Sequence, residues 1–133
     1  MLCLDSTFLI DLLKKKQDAV DKFNEIRDQD LLTTQLNIYE IKSGIYRKFD
    51  KNVIQRELNV FNNVLPFISM LSLDAASIDK AAEISGELMN QGSIIQDIDI
   101  LIAGICLVNN CKTIITKDVK HFSRIKGLKV ETY

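Results

Sequence analysis

Leu2-Cys3-Leu4-Asp5-Ser6-Thr7-Phe8-Leu9-Ile10 holds the transition from a strand to a helix, with a carboxylate at the junction. Residues 2–4 are apolar without polar alternation, which reads as a short strand buried on both faces. A helix is predicted over 7–15, ending in Lys14-Lys15-Lys16, where cations suit the negative end of the helix dipole. Thr113-Ile114-Ile115-Thr116-Lys117-Asp118 repeats the theme near the other end: a β-branched strand over 113–115, then a hydroxyl, a lysine and an acid.

The chain between them alternates in the same way. Helices are expected over 17–28, with Val20, Phe23 and Ile26 inward, and over 35–48, with Ile38, Ile41 and Ile45 on one stripe. Over 52–65, Ile54, Leu58, Phe61 and Leu65 follow a four-three-four spacing that ends at Pro66. Leu31-Leu32 and residues 67–72 read as strands. Asp74 is placed to cap a helix over 75–91, with Ile78, Ala81, Ala82, Ser85, Leu88 and Met89 inward and Gly92 as its stop. A helix over 98–109 and a strand over 128–131 complete the pattern. Strands alternating with helices predict an α/β fold, three layers deep, around a mainly parallel sheet of four to five strands. Ligand sites in such sheets lie beyond the carboxyl ends of the strands, where Asp5 and Asp118 both fall.

Composition bounds the rest. The 133 residues suit one domain, 1–133, with 47% hydrophobic and 26% charged residues and no linker, repeat or low-complexity stretch. No apolar run is long enough to span a bilayer, and no basic-then-apolar leader opens the chain. Three cysteines without zinc-ligand spacing predict unpaired thiols in a reducing, cytoplasmic setting, and Cys3 and Cys106 read as small core fillers. A net charge of −1 neither favours nor excludes a nucleic-acid partner.

Four acids stand at the edges of apolar elements: Asp5, Glu40, Asp99 and Asp118. Carboxylates beside buried elements cost free energy unless hydrogen-bonded, paired or bound to metal. If they converge, they raise one another's pKa unless a divalent cation neutralises them. Each also has a plainer reading. Asp5 can cap the helix that follows, though Ser6 and Thr7 could do so instead; Asp118 can close a turn. Glu40 lies well off the 38/41/45 stripe and would suit a solvated helix face, with Gly44 one turn on as a sign of close approach. Asp97 and Asp99 point roughly 200° apart on a helix. Asp97 is therefore read as the cap or as an outer helper, and Asp99 as the ligand in the first turn. Thr116 offers a hydroxyl to a neighbouring carboxylate.

These stretches resemble the PIN-domain family. Leu4-Asp5-Ser6-Thr7-Phe8-Leu9-Ile10 is similar to its opening motif, and Tyr39-Glu40-Ile41-Lys42-Ser43-Gly44 to its second acidic helix. Asp99-Ile100-Leu101-Ile102-Ala103-Gly104 resembles its most specific motif, and Ile114 to Val130 its carboxyl-terminal pattern. The likeness covers nearly the whole chain and is nearest to VapC-type toxins of toxin–antitoxin pairs. Thr7 departs from the asparagine that many members carry, and Asp97 is an acid that only some have. The resemblance implies a metal-dependent endoribonuclease in which Asp5, Glu40, Asp99 and Asp118 are catalytic. Asp5, Asp99 and Asp118 would hold Mg²⁺ or Mn²⁺, hard cations that suit oxygen ligands, with Ser6 and Thr116 in support. It also implies an RNA substrate, a small antitoxin that obstructs the site, and a homodimer, for which helices 7–28 and 52–65 are candidate interfaces.

Other features keep two readings. Lys117, Lys120 and Arg124, with Lys126 and Lys129, form either an RNA-backbone patch or a solvated face. His121, the single histidine, reads as a turn or surface residue more readily than as a general base. Three other functions compete: a solitary PIN-type RNA-processing nuclease, a catalytically weak PIN domain that only binds, and a receiver-like Mg²⁺ domain. The last lacks the second acidic pair it would need near Asp5.

Overall fold

Alternation along the central strands decides the layering. In the computed structural model, which describes residues 1–133, strand β1 (Leu2–Leu4) sends Leu2 and Leu4 to one face and Cys3 to the other. Strand β4 (Thr113–Ile115) does the same with Ile115 and Ile114, and β2 (Leu31–Thr34) with Leu31 and Leu32. Successive side chains on a strand point to opposite faces, so these apolar strands need a core on both sides.

Those cores come from two sets of helices. On one face lie α1 (Ser6–Leu13), α2 (Gln17–Ile26), α3 (Gln35–Tyr46) and α4 (Lys51–Val64), contributing Phe8, Leu9, Ala19, Ile26, Ile41, Ile45 and Phe61. On the other, α5 (Ala75–Asn90) and α6 (Asp97–Val108) supply Ala81, Ile84, Leu88, Ile102, Ala103 and Cys106, and Phe122 of the short α7 (Val119–Phe122) joins them. The sheet runs β3 (Ser69–Leu71)-β2-β1-β4-β5 (Lys129–Glu131), and every pairing is parallel. The expected three-layer α/β/α domain is therefore present, with five strands and no antiparallel member. The exposed edges are β3 and β5, both short, which limits their exposure to stray pairing.

Several boundaries differ from expectation. Helix α1 stops at Leu13, and Lys15 turns the chain at φ 56°. Strand β3 is half the predicted 67–72, because Leu65–Phe67 winds into a 3₁₀ turn around Pro66. In α5 the inward face is Ser77, Ala81, Ile84 and Leu88, whereas Ile78, Ala82 and Met89 face out. The cause is α6: a Cβ on Gly104 would lie 2.7 Å from the Ser77 carbonyl and 3.0 Å from Ala81 Cβ. Only small residues fit so close a crossing, so the bulky Ile78 and Met89 are turned away. As predicted, Asp74 caps α5 by accepting from Ser77 N at 2.9 Å, and Gly92 ends the segment at φ 69°.

Candidate active site

Strand order reverses at β1, where the chain continues to β2 on one side and returns as β4 on the other. A crevice opens beyond the carboxyl ends of strands at such a point, and Asp5 and Asp118 flank it. Asp5 occupies the N-cap position of α1, yet its side chain makes no cap hydrogen bond. Its carboxylate faces inward, 3% exposed, and is held by three neutral donors. Asn37 Nδ2 donates to Oδ1 at 2.9 Å, while Thr116 Oγ1 and Thr7 Oγ1 donate to Oδ2 at 2.6 and 3.0 Å.

Asn37 is fixed by its own duties. It is the third residue of α3, where its Oδ1 accepts from Thr34 N and Thr34 Oγ1 in a capping box that starts the helix. One turn later on that helix, Glu40 is half-buried and accepts from Ser6 Oγ at 2.8 Å. The solvated-face reading of Glu40 therefore gives way. Gly44, however, marks no close approach, since a Cβ there would meet nothing within 4 Å.

Asp99 enters from α6, buried in the first turn. Asp97 corrects the expectation: the N-cap is Gln96, whose carbonyl accepts from Asp99 N and Ile100 N, and Asp97 is an exposed first-turn residue. The helix begins one residue early, which turns Asp97 to solvent and leaves Asp99 facing the crevice. Asp118 both caps α7, accepting from His121 N at 3.4 Å, and approaches the other acids. Its own backbone N–H is held by Thr116 Oγ1 at 2.9 Å, so one hydroxyl orients two of the acids.

The electrostatics follow from this convergence. Asp99 is pushed up to about 6, first by burial and then by Asp118 and Asp5. Glu40 and Asp5 are also raised, chiefly by burial; Asp5 and Asp99 add to it for Glu40, and Asp118 adds to it for Asp5. Four carboxylates from four separate elements thus repel one another in one crevice. The donor set fits a hard divalent cation, which would relieve that repulsion.

Sequence reasoning missed two members. Asn37 carries the link between α3 and Asp5, and a polar residue three positions before Glu40 on the same helical face was the available signal. His121, which the sequence reads as a turn or surface residue, has its Nδ1 2.8 Å from Asp118 Oδ2 and 3.2 Å from Asp99 Oδ2. These three side chains have donor atoms all within 4.8 Å of one another. Of the cation patch, Lys117 pairs with Asp18 at 2.7 Å and Asp11 at 3.2 Å. Lys120 and Arg124 remain exposed.

The three cysteines are free and buried, and no helix is long and apolar enough to cross a membrane. Among curated proteins, the chain is 25% identical over 130 residues to the tRNA(fMet)-specific endonuclease VapC of Shigella flexneri, covering 98% of this chain and 96% of that protein. It is 24% identical over 132 residues to Ribonuclease VapC2 of Rickettsia felis, with the same coverage. Its fold matches the VapBC2 structure from Rickettsia felis bound to a promoter DNA fragment, at a TM-score of 0.85 and 22% identity over 99% of this chain and 98% of that one. FitAcB from Neisseria gonorrhoeae matches at a TM-score of 0.87 and 18% identity, over 98% and 96% of the two chains. The PIN domain profile spans residues 2–128, with the acids of β1, α3, α6 and the β4 edge all inside it. The chain belongs to the PIN domain family.

Proposed function

We propose that this protein is a metal-dependent endoribonuclease, hydrolysing RNA phosphodiester bonds, and the toxin of a VapBC-type toxin–antitoxin pair. The observation that carries the reading is the meeting of Asp5, Glu40, Asp99 and Asp118 with no lysine or arginine paired to them. The names of the relatives, an endonuclease and a ribonuclease, support RNA as the substrate.

Asp5, Asp99 and Asp118 would hold Mg²⁺ or Mn²⁺. When bound, such an ion neutralises charge at the attacked phosphate and favours ionisation of the attacking water. Thr116, Thr7 and Asn37 fix the orientation of the Asp5 carboxylate. Glu40, whose raised proton affinity suits it to take up a proton, stands at the rim of the cluster, steadied by Ser6. Lys120 and Arg124, exposed on and just after α7, contact the RNA backbone. Asp97, exposed in the first turn of α6, helps by its negative charge at that helix end and is not a ligand.

The antitoxin lays a helix in the groove between α1, α3 and α4. Ile10, Leu13, Ile41, Ile45 and Val60 offer an apolar seat there, and Lys14 and Arg56 suit acidic residues on the incoming helix, whereas Lys48 is already paired with Glu57. The protein works in the cytoplasm as a homodimer. A solitary RNA-processing nuclease would share the site but have no antitoxin, and a pure binding module would bind RNA without cutting it.

The test is incubation with mixed RNAs in Mg²⁺, in Mn²⁺ and in EDTA, beside Asp5→Asn and Asp99→Asn. Cleavage is expected with either ion and is lost with EDTA and in both variants. Cleavage that ignores EDTA would sink the metal reading. Intact RNA in all conditions would leave only the binding module. Co-purification with the product of a short neighbouring gene separates the toxin from the solitary nuclease.

A further inference from the structure

His121 has no part in the acidic set, yet it is the side chain nearest two of its members. Asp118 and His121 belong to one capped turn: Asp118 Oδ1 accepts from the His121 backbone, while Oδ2 faces the ring. Phe122, next along, is 1% exposed in the core and fixes the rotation of α7. The imidazole is thus locked in place, and 29% of it stays open to solvent and to an arriving ion.

The spacing matters. Adjacent ligands on an octahedral ion with bonds of about 2.1 Å lie about 3.0 Å apart. His121 Nδ1 stands 2.8 Å from Asp118 Oδ2 and 3.2 Å from Asp99 Oδ2, on either side of that value. An ionised carboxylate can only accept, so with a proton on Nδ1 the ring donates to Asp118 Oδ2, and Asp99 Oδ2 stands 3.2 Å from the same nitrogen. An ion bound at Nδ1 would stand where that proton stands and leave the ring N–H at Nε2.

The geometry points to His121 as a nitrogen ligand of the metal site, selecting transition metals over Mg²⁺. This rests on the metal reading above and adds a ligand and a selectivity to it. Mg²⁺ is held by oxygen, whereas imidazole nitrogen favours later first-row ions and gains in strength from Mn²⁺ to Co²⁺.

Pulsed EPR on the full chain loaded with Mn²⁺ reads the ligand directly. Coupling to an imidazole ¹⁴N is expected in the wild type and absent in His121→Asn. Calorimetry supplies the selectivity: His121→Asn should weaken Co²⁺ by about tenfold or more and leave Mg²⁺ within about twofold. Mn²⁺ bound to wild type without nitrogen coupling overturns the inference while leaving the carboxylate site standing, and it needs no variant to fold. Equal weakening of all three ions also overturns it, as a role in merely positioning Asp118 would produce. No binding of Mn²⁺ by the wild type at millimolar concentration would instead remove the metal reading itself.

Discussion

Two groups of carboxylates meet on either side of the Lys117–Asp118 peptide. In one, Asp11 and Asp18 are answered by Lys16 and Lys117: Lys16–Asp11 at 2.7 Å, Lys117–Asp18 at 2.7 Å and Lys117–Asp11 at 3.2 Å. Tyr133 OH adds a bond to Asp11 at 3.0 Å. In the other, Asp5, Glu40, Asp99 and Asp118 have neutral donors and one histidine. Burial works against the Asp11 carboxylate, but bonds to Lys16 and Lys117 outweigh it and hold its pKa below the ordinary range. Asp99 goes the other way, to about 6. A group that closes its own charge needs nothing further and serves the fold. A group left open has to be closed from outside, which is what a metal site requires.

Asp99→Asn strikes hardest at this difference. It removes one like charge from the open group, so the metal-free protein should melt at a higher temperature than wild type. RNA cleavage should fall by about 100-fold or more, as expected when a group that stabilises developing charge is lost. A variant that loses both stability and activity would mean that the open group is not strained. Asp5→Asn is a less clean probe, because its new amide would face the Asn37 amide.

Asn37→Ala should cost about 2–3 kcal/mol, since it strands a buried carboxylate oxygen and deletes a capping box. Urea denaturation measures it. A loss under about 0.5 kcal/mol would show that the open group does not depend on its neutral donors.

The pH dependence sharpens the contrast further. Asp99 has an ordinary value of 3.8 and titrates at about 6 in the fold. Between these values the folded chain keeps a proton that the unfolded chain has lost, so this group's contribution to metal-free stability falls as pH rises from about 4 to about 6. Metal binding has the opposite sign, because it needs the carboxylate: affinity for Mn²⁺ should fall about tenfold per pH unit below about 6. Calorimetric titration at a series of pH values checks it, and a flat profile from pH 7 to 5 would contradict it.

The two groups were not equally legible. Strands 2–4 and 113–115 were readable to the residue, because a run buried on both faces has no polar interruption, and they placed Asp5 and Asp118 at the sheet edge. Helical direction separated Asp99 from Asp97 correctly, although the cap fell to Gln96. Glu40 needed the resemblance, since the donor that holds it is Ser6, 34 residues away. His121 was lost because α7 is a four-residue helix, too short for periodicity to announce. The outward turn of Ile78 and Met89 depends on Gly104 across a helix crossing, which no local pattern on α5 records. Nor was the closed group visible: Lys117 looked like part of a cationic patch, and its partners lie 99 and 106 residues earlier in the chain.

Lys117→Met therefore has the smallest expected effect and the most to say about which group is which. The lysine Nζ bridges Asp11 and Asp18 and lies 4.7 Å from the centre of the Tyr133 ring, which packs edge-on against Phe8. Losing it leaves Lys16 and Tyr133 still on Asp11, so the melting temperature should fall by only a few degrees. Salt should shrink the gap between variant and wild type, because part of the ammonium is exposed and screened. Cleavage of RNA at a temperature where both proteins are folded should be unchanged, since the ammonium is already taken by two carboxylates. The opposite result, unchanged melting with slower cleavage and a shallower salt dependence, would make Lys117 a phosphate contact. It would also join it to Lys120 and Arg124 and dissolve the division between a closed structural group and an open functional one.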